Sequence, residues 1–258
     1  MYKKKIVLND NINDIFYPLY LQWVKQYAQD HSVNPPYEQE IKFYLDSVLR
    51  YRELIIPPLS EYLLNISEEK YIIIYDLGCG SGILSVVIAL HLLKESESNE
   101  ALNKEIKKGN ITIKGIDILD YSQYWKEALK IYNQQLEANS YTDKKIDINF
   151  LEGDYFKILR SEDLSSKNRI FVMSQPHHLA QVVDIAYIIK NNKSNAPLFF
   201  DYYKDIDIIQ ALKNIPRIKK EKIEILEKGC TKIDSYEHPT IHDLKTYYFV
   251  WQSASHQS

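Results

Sequence analysis

Residues 71–82 read YIIIYDLGCGSG, and this stretch decides the fold. A run rich in β-branched residues ends in Asp76 and is followed at once by Gly-x-Gly-x-Gly. The chain has only 7 Gly in 258 residues, yet three of them fall within positions 78–82. A strand, a glycine turn and an apolar helix in this order place the turn at the carboxyl edge of a parallel sheet, where glycine lets the backbone approach a ligand closely. The stretch predicts a ligand-binding turn after the first strand.

From residue 71 onward, short apolar strands alternate with segments of helical spacing. This alternation predicts a parallel sheet covered by helices on both faces. Two late segments, EKIEILEKG and LKTYYFVWQ, are separated by a turn-rich stretch and predict an antiparallel pair at the sheet edge. The five earlier strands are predicted at YIIIYD, ITIKGID, IDINFLEG, RIFVMS and APLFFD, and the helices between them at GILSVVIALHLLK, YSQYWKEALKIYNQQLEAN and HLAQVVDIAYIIKNN.

The part of the chain before the first strand has a different pattern. Apolar residues in residues 1–68 recur at three- and four-residue spacing, which predicts helices. We therefore predict two domains, a helical cap and substrate region over 1–68 and an α/β domain over 69–258. Within the second domain, KESESNEALNKEIKKGN (94–110) is polar and charged, and it is predicted to be a weakly helical, solvated insertion.

Composition excludes several classes of function. The chain is 45% hydrophobic and has a formal net charge of −3, so it can build a large core and has no overall attraction to nucleic acid or anionic membranes. No apolar stretch is long enough to span a bilayer, and the start lacks the apolar run of a signal peptide. The only cysteines are Cys79 and Cys230, which favour a reducing compartment and predict a cytoplasmic location.

The glycine spacing narrows the class of ligand that the turn could bind. Gly78, Gly80 and Gly82 alternate, whereas a dinucleotide site uses the longer GxGxxG spacing. The stretch DLGCGSG resembles motif I of the class I S-adenosylmethionine-dependent methyltransferases. The resemblance implies that the backbone of this turn contacts the methionine part of the cofactor and that Asp76 lies near its amino group. Cys79 belongs to the same loop and is interpreted as a small buried residue, not a nucleophile.

Two further strand ends agree with this resemblance. Within KGIDILD, at the end of the second strand, the family places an acidic residue that accepts hydrogen bonds from both ribose hydroxyls, and Asp117 matches it, with Ile118 beside it. Two carboxylate oxygens can take two donors in parallel, which suits this role. Within FLEGDYF, just after the third strand, the family places an acidic residue near the adenine amino group, which implies that Asp154 and Tyr155 contact the adenine. Asp120 is a nearby competitor of Asp117 but falls past the strand end.

The fourth strand ends in FVMSQPHHL. In one branch of the family this strand ends in Asn, Asp or Ser, then x-Pro-aromatic, and the enzymes methylate planar nitrogens. Ser174 and Pro176 match that frame loosely, which implies that Ser174 accepts a hydrogen bond from the acceptor nitrogen and that His177 stacks on it. Gln175 and His177 depart from the frame, so His177 or His178 could instead be a general base.

Two other groups of residues receive structural interpretations. NPPY at 34–37 spells the nitrogen-methylating signature, but it precedes the first strand and is interpreted as a loop or a helix start. Cys230, His238 and His242 are the only cluster that resembles metal ligands, but Pro239 interrupts the spacing and a fourth ligand is not obvious. We predict no metal.

The sequence thus predicts a Rossmann-like sheet of seven mostly parallel strands with an antiparallel edge strand and an N-terminal helical cap. The resemblance implies an enzyme that uses S-adenosyl-L-methionine and releases S-adenosyl-L-homocysteine. The acidic net charge favours a small-molecule acceptor with an amine or amide nitrogen. A protein-glutamine or RNA methyltransferase remains an alternative, as does a cofactor-binding partner or sensor without catalysis. The oligomeric state stays open.

Overall fold

The structure is a computed structural model, and it describes residues 71–141, 143–162, 168–174, 179–191, 196–203, 226–232 and 245–251 together with Ile56, Leu59, Tyr62 and Leu63. For residues 179, 190–191, 201–203, 226–232 and 245–251, it describes the backbone alone. The chain divides into two units, residues 1–47 and 48–258. The first unit and most of the predicted cap over 1–68 lie outside the described residues, so that domain division stays a prediction.

Five parallel strands form the main part of the sheet. They are β1 (Ile72–Leu77), β2 (Ile111–Asp117), β3 (Asp147–Glu152), β4 (Arg169–Ser174) and β5 (Leu198–Tyr203). Backbone pairing continues with β7 (Lys245–Trp251) antiparallel to β5, and β6 (Leu226–Lys232) pairs antiparallel with β7 at the outside. The strand order is β3-β2-β1-β4-β5-β7-β6. The predicted α/β fold with a parallel sheet is confirmed.

The strand order fixes where a ligand can bind. The chain runs from β1 outward to β2 and β3, then returns to place β4 on the other side of β1. The direction of progression therefore reverses between β1 and β4. In open parallel sheets, ligands bind in the crevice outside the carboxyl ends of the strands at such a switch point. Both the glycine turn after β1 and Ser174 at the end of β4 lie at this edge.

Five helices connect the described strands. They are α1 (Ile83–Glu95), α2 (Glu100–Lys107), α3 (Ser122–Ala138), α4 (Tyr155–Ser161) and α5 (Leu179–Asn191). Every side chain of α1 from Ile83 to Leu93 is buried, as expected for a helix that is apolar on all sides. The other face of the sheet packs against α5 through a core that includes Tyr75, Phe171 and Phe200. In the described part of the chain, no helix is both long enough and apolar enough to cross a bilayer.

The stretch 94–110 contains an ordered helix, α2. Asn99 caps it, since its side chain accepts a hydrogen bond from the backbone N of Leu102 at 2.9 Å. Leu102 and Ile106 are buried, one turn apart on the same face. The prediction of a solvated insertion is therefore wrong for this face, although Glu100, Lys104 and Lys107 of the helix are exposed. The two apolar residues were too few to outweigh the charge run in the sequence pattern.

Helix α4 was not predicted, and both of its ends are fixed. Asp154 begins the helix, since its Oδ1 accepts hydrogen bonds from the backbone N of Phe156 at 2.9 Å and of Lys157 at 3.4 Å. At the other end, Glu162 forms an ion pair with Arg169 of β4 at 2.9 Å and accepts a hydrogen bond from Tyr75 of β1. The first turn of α4, which carries Tyr155, is therefore held against the carboxyl edge of the sheet.

Candidate cofactor-binding site

The glycine turn is folded back onto the end of β2. Gly78, Gly80 and Gly82 have φ angles of 71°, 50° and 82°, in the left-handed region that other residues rarely adopt. The backbone N of Gly78 donates to the carbonyl of Ile116 at 2.8 Å, and the N of Cys79 donates to the same carbonyl at 3.2 Å. A Cβ built on Gly78 or Gly80 would meet nothing within 4 Å, so open space lies beside the turn.

Asp117, the last residue of β2, holds this turn. Its Oδ2 accepts a hydrogen bond from the backbone N of Gly80 at 2.9 Å, and its Oδ1 accepts one from the N of Leu119 at 3.0 Å. The side chain is only 9% exposed. A carboxylate offers about four lone-pair positions, so both oxygens can still accept a further donor. Two fixed acceptors at the sheet edge suit a ligand with two adjacent hydroxyl groups.

Asp76 lies at the end of β1, within hydrogen-bonding distance of the first turn of α1. It is 1% exposed, and its Oδ2 accepts a hydrogen bond from Ser85 Oγ at 2.7 Å. The pKa of Asp76 is raised to about 7, mainly by burial and also by the negative charge of Asp117, while the Ser85 hydrogen bond opposes the shift. The two carboxylates therefore form an acidic pair beneath the glycine turn, and a positively charged ligand group would favour the ionised form of Asp76.

The ends of β2 and β3 are joined through the backbone. The N of Gly153 donates to the carbonyl of Asp117 at 2.7 Å. This bond brings Asp154 and Tyr155 to the same edge as Asp117. Burial, together with the charges of Asp117, Asp154 and Asp184, raises the pKa of Tyr155 to about 12, so its hydroxyl remains protonated at neutral pH. Asp154 uses Oδ1 for its helix cap, and its Oδ2 takes part in neither capping bond.

An apolar surface borders this edge. Ile118 is 64% exposed, and it follows Asp117 directly. Leu119 and Leu151 are also exposed, and Leu151 pairs in register with Ile116. Large exposed apolar side chains next to a buried carboxylate suit a ligand that has both an apolar ring and hydroxyl groups.

Ser174 occupies the end of β4 on the opposite side of β1. Its Oγ is buried and has no hydrogen-bond partner among the residues that the structure describes. Buried hydroxyls of this kind are rare in proteins, and an approaching ligand group can supply the missing partner. Gln175, Pro176, His177 and His178 lie outside the described residues, so their predicted roles stay predictions.

Four residues that support the site were missed in the sequence. Ser85 is a polar residue in a largely apolar helix, nine positions after Asp76, and that polarity was its only signal. Gly115 lies within β2, where glycine often marks a close approach. Trp125 and Phe150 lie under the glycine turn. The indole Nε1 of Trp125 donates to the carbonyl of Gly80 at 2.8 Å, and the two aromatic rings stack with centroids 5.4 Å apart.

The described side chains contain no group of three or more His, Cys, Asp or Glu placed to hold an ion. Of the cluster noted in the sequence, Cys230 is described by its backbone in β6 alone, and His238 and His242 fall outside the described residues.

Comparisons with known proteins give structural likenesses only, since no family model and no curated protein matches the chain. A SAM dependent methyltransferase from Aquifex aeolicus is 9% identical, with 76% of this chain and 89% of that chain covered and a TM-score of 0.36. The rRNA methyltransferase aviRa from Streptomyces viridochromogenes is 10% identical, with 75% and 81% covered and a TM-score of 0.41. An uncharacterized protein from Listeria monocytogenes serotype 4b is 12% identical, with 77% and 68% covered and a TM-score of 0.40.

At identities and TM-scores this low, a likeness assigns neither a reaction nor a substrate. The function is therefore inferred from the residues of this chain and their geometry.

Proposed function

We propose that the chain is an S-adenosylmethionine-dependent methyltransferase that methylates a nitrogen atom of a small molecule. The observation that carries this proposal is the 2.9 Å hydrogen bond between the backbone N of Gly80 and Asp117 Oδ2. It holds a glycine turn and a carboxylate side by side at the ends of β1 and β2. A sulfonium nucleoside needs both features, because it presents a charged amino acid part at one end and a ribose diol in its middle.

Each part of the cofactor has a candidate partner. The backbone of Gly78 and Gly80 borders the open space in which the methionine part would lie. Asp117 would accept hydrogen bonds from the ribose hydroxyls, and Asp76 would face the positive charge. Ile118 would cover the adenine on one side, with Asp154 and Tyr155 at its far end. The pairing of β7 and β6 beyond β5 supports the finer expectation of a seven-stranded methyltransferase sheet.

The bound cofactor supplies an electrophilic methyl group on a sulfonium centre. What the chain adds is orientation, since transfer is an in-line displacement that needs the acceptor lone pair at near-attack distance. Ser174 is suited to this task, because it lies at the switch point next to β1 and its buried Oγ requires a partner. An amine or amide N–H that donates to Ser174 Oγ would supply the missing hydrogen-bond partner of that hydroxyl and would orient the lone pair of the nitrogen.

Acceptor and location are the finer parts of the proposal. A formal net charge of −3 and the acidic pair at the site favour a small, neutral or cationic acceptor over a polyanion. His177 or His178 would remove a proton if the acceptor is an ammonium group. Only two cysteines in the whole chain favour a reducing compartment, the cytoplasm.

The cofactor role is tested by Asp117→Asn. Loss of a charged acceptor for two hydroxyl donors should weaken the binding of S-adenosylhomocysteine by about 10-fold or more. Asp120→Asn is the matched control, because Asp120 is an exposed carboxylate three residues later that accepts hydrogen bonds from the backbone N and the side chain of Ser122. Calorimetric titration of both variants should show near wild-type affinity for the control. Equal affinities in the two variants would remove Asp117 from the site.

The acceptor class is tested with a tritiated methyl donor and three separated cell fractions, namely small molecules, RNA and protein. Label should enter the small-molecule fraction, and Ser174→Ala should reduce its rate by about 10-fold while leaving the affinity for S-adenosylhomocysteine unchanged. Label in RNA or protein alone would contradict the small-molecule acceptor. Donor binding without label in any fraction would instead favour a sensor or partner subunit.

A further inference from the structure

The glycine turn is anchored on both sides of a single residue, Gly80. Its backbone N donates to Asp117 Oδ2 at 2.9 Å, and its carbonyl accepts from Trp125 Nε1 at 2.8 Å. Trp125 lies in the first turns of α3, 45 residues further along the chain, and is buried. Because the peptide units on either side of Gly80 are held from two different elements, the direction of its N–H depends on both contacts.

The indole ring of Trp125 is itself held in place. It stacks on Phe150 of β3 with the ring planes 10° apart. The Phe150 ring in turn fills the space where a Cβ would stand at two glycines. A Cβ on Gly82 would come within 2.4 Å of the Phe150 ring, and one on Gly115 within 2.5 Å. Both distances are too short for any real Cβ contact, so the two glycines leave room for this ring.

The two rings therefore form a layer between the sheet and the turn. Gly115 of β2 and Gly82 at the start of α1 contact the layer through Phe150, while Gly80 contacts it through the Trp125 hydrogen bond. Tryptophan combines a rigid aromatic ring with a single N–H donor, and few other residues do so. This combination can hold the Gly80 carbonyl at a fixed angle while the ring itself packs in an aromatic layer. Simple filling of the core would not require the hydrogen bond.

We propose that Trp125 is a positioning residue for the cofactor, acting through Gly80. Its indole N–H fixes the Gly80 carbonyl, so that the Gly80 N–H points at Asp117 and the carboxylate stays at the edge where the ribose binds. This inference rests on the proposed function. Trp125 touches neither reacting atom, so its loss should weaken the binding of donor and product without changing the chemical step.

The test is Trp125→Phe, which keeps a ring against Phe150 and removes the donor. The expected result is a rise of about 5- to 10-fold in the dissociation constant for S-adenosylhomocysteine and in the KM for the donor, with kcat within twofold of wild type. Trp125→Leu, which keeps an apolar side chain and also has no donor, is the second variant should the first not fold.

Tyr132→Phe is the matched control for a general loss of stability. Tyr132 lies on the same helix and is also a buried aromatic residue whose hydroxyl donates to a backbone carbonyl, that of Ile146, at 3.0 Å. It makes no hydrogen bond to the glycine turn. The control should lower the melting temperature while leaving the dissociation constant and KM within twofold of wild type.

Two outcomes would overturn the inference. One is a change of less than threefold in product affinity for Trp125→Phe when the wild type binds normally. The other is an equal loss of affinity in Tyr132→Phe, which would assign the effect to looser packing. If the wild type itself does not bind S-adenosylhomocysteine, the proposed function fails first, so the two failures are distinguishable.

Discussion

At the scale of single residues, the site depends on carboxylates whose burial would be costly without a ligand. Asp76 and Asp117 are both at most 9% exposed, and their charges oppose each other. Their hydrogen bonds come from Ser85 and from backbone N–H groups, and none of these donors, within the part of the chain that the structure describes, is a cationic side chain. A cationic ligand would therefore be the natural counter-charge, and in its absence Asp76 should be partly protonated near pH 7.

This arrangement predicts how stability depends on pH. The folded state holds Asp76 protonated up to about pH 7, whereas the unfolded chain releases this proton near pH 4. The stabilisation by protonated Asp76 is therefore complete below about pH 4, is lost as the pH rises from about 4 to 7, and stays lost above. Asp76→Asn should remove this loss, which is on the order of 4 kcal/mol at pH 8.

The measurement is the free energy of unfolding in urea at pH 5 and pH 8 for wild type and variant. Asp143→Asn is the control, since Asp143 is exposed and the hydrogen bond from Lys107 keeps the pKa of its carboxyl below the usual range. Its difference from wild type should not change between these two pH values. If the advantage of Asp76→Asn fails to grow with pH, the carboxyl is not held protonated by the fold.

Some residues of the site could be predicted from the sequence, and others could not. Asp117 and the three glycines were identifiable because each follows directly on a strand, and the structure brings them together as predicted by that order. Ser85, Trp125 and Phe150 could not be assigned to the site, since their contacts depend on packing between elements far apart in the chain. Asp154 was predicted to contact adenine, and the structure adds a helix cap that the sequence pattern had not included.

At the scale of elements, the junction of β1, the glycine turn and α1 is the most constrained part of the sheet. Gly82 caps α1 with a φ of 82° and packs directly against Phe150. A side chain here would meet two separate penalties, a left-handed backbone and a collision with the ring. The requirement for glycine at position 82 therefore comes from Phe150 of β3 as much as from the backbone conformation of the turn.

Gly82→Ala should lower the free energy of unfolding by about 2 to 5 kcal/mol, combining the left-handed backbone with overpacking. Gly109→Ala is the matched control, since Gly109 also has a φ of 70° but a Cβ there would meet nothing within 4 Å. It should cost about 1 to 2 kcal/mol. Urea denaturation measures both.

A second variant separates the two penalties. Phe150→Leu in the Gly82→Ala background should restore part of the lost stability, because it removes the ring that the new Cβ strikes. Equal costs for Gly82→Ala and Gly109→Ala, with no recovery in the double variant, would show that Phe150 does not press on the turn.

Some of the strands and helices could be predicted from the sequence pattern, and others could not. Most of the parallel strands were predictable because they are buried, largely apolar runs bounded by turns; β3 is the exception, since only its Ile148 is buried. Helices α2 and α4 are short, and they bury two side chains and one side chain respectively, so few apolar residues mark them in the sequence. Helix α2 is held by one cap and two apolar side chains. In the sequence, these three residues are outnumbered by the surrounding lysines and glutamates, which indicate a solvated segment.

At the scale of the whole molecule, the strand order brings three separated segments to one edge. The glycine turn follows β1, Asp117 ends β2 and Ser174 ends β4, and these are adjacent strands although nearly 100 residues separate the first from the last. The sequence predicted that these residues share one edge, and the reversal of strand order beside β1 is what brings them there. The acceptor depends on residues beyond this edge, including His177 and His178, and is tested by labelling.

The most direct test of the central claim is a calorimetric titration of the wild-type chain with S-adenosylhomocysteine, with NAD as the comparison ligand. The account predicts saturable binding of one S-adenosylhomocysteine per chain and none of NAD, because the glycine spacing and Asp117 fit a nucleoside without a pyrophosphate. Saturable binding of NAD, or no binding of S-adenosylhomocysteine up to about 1 mM, would contradict it.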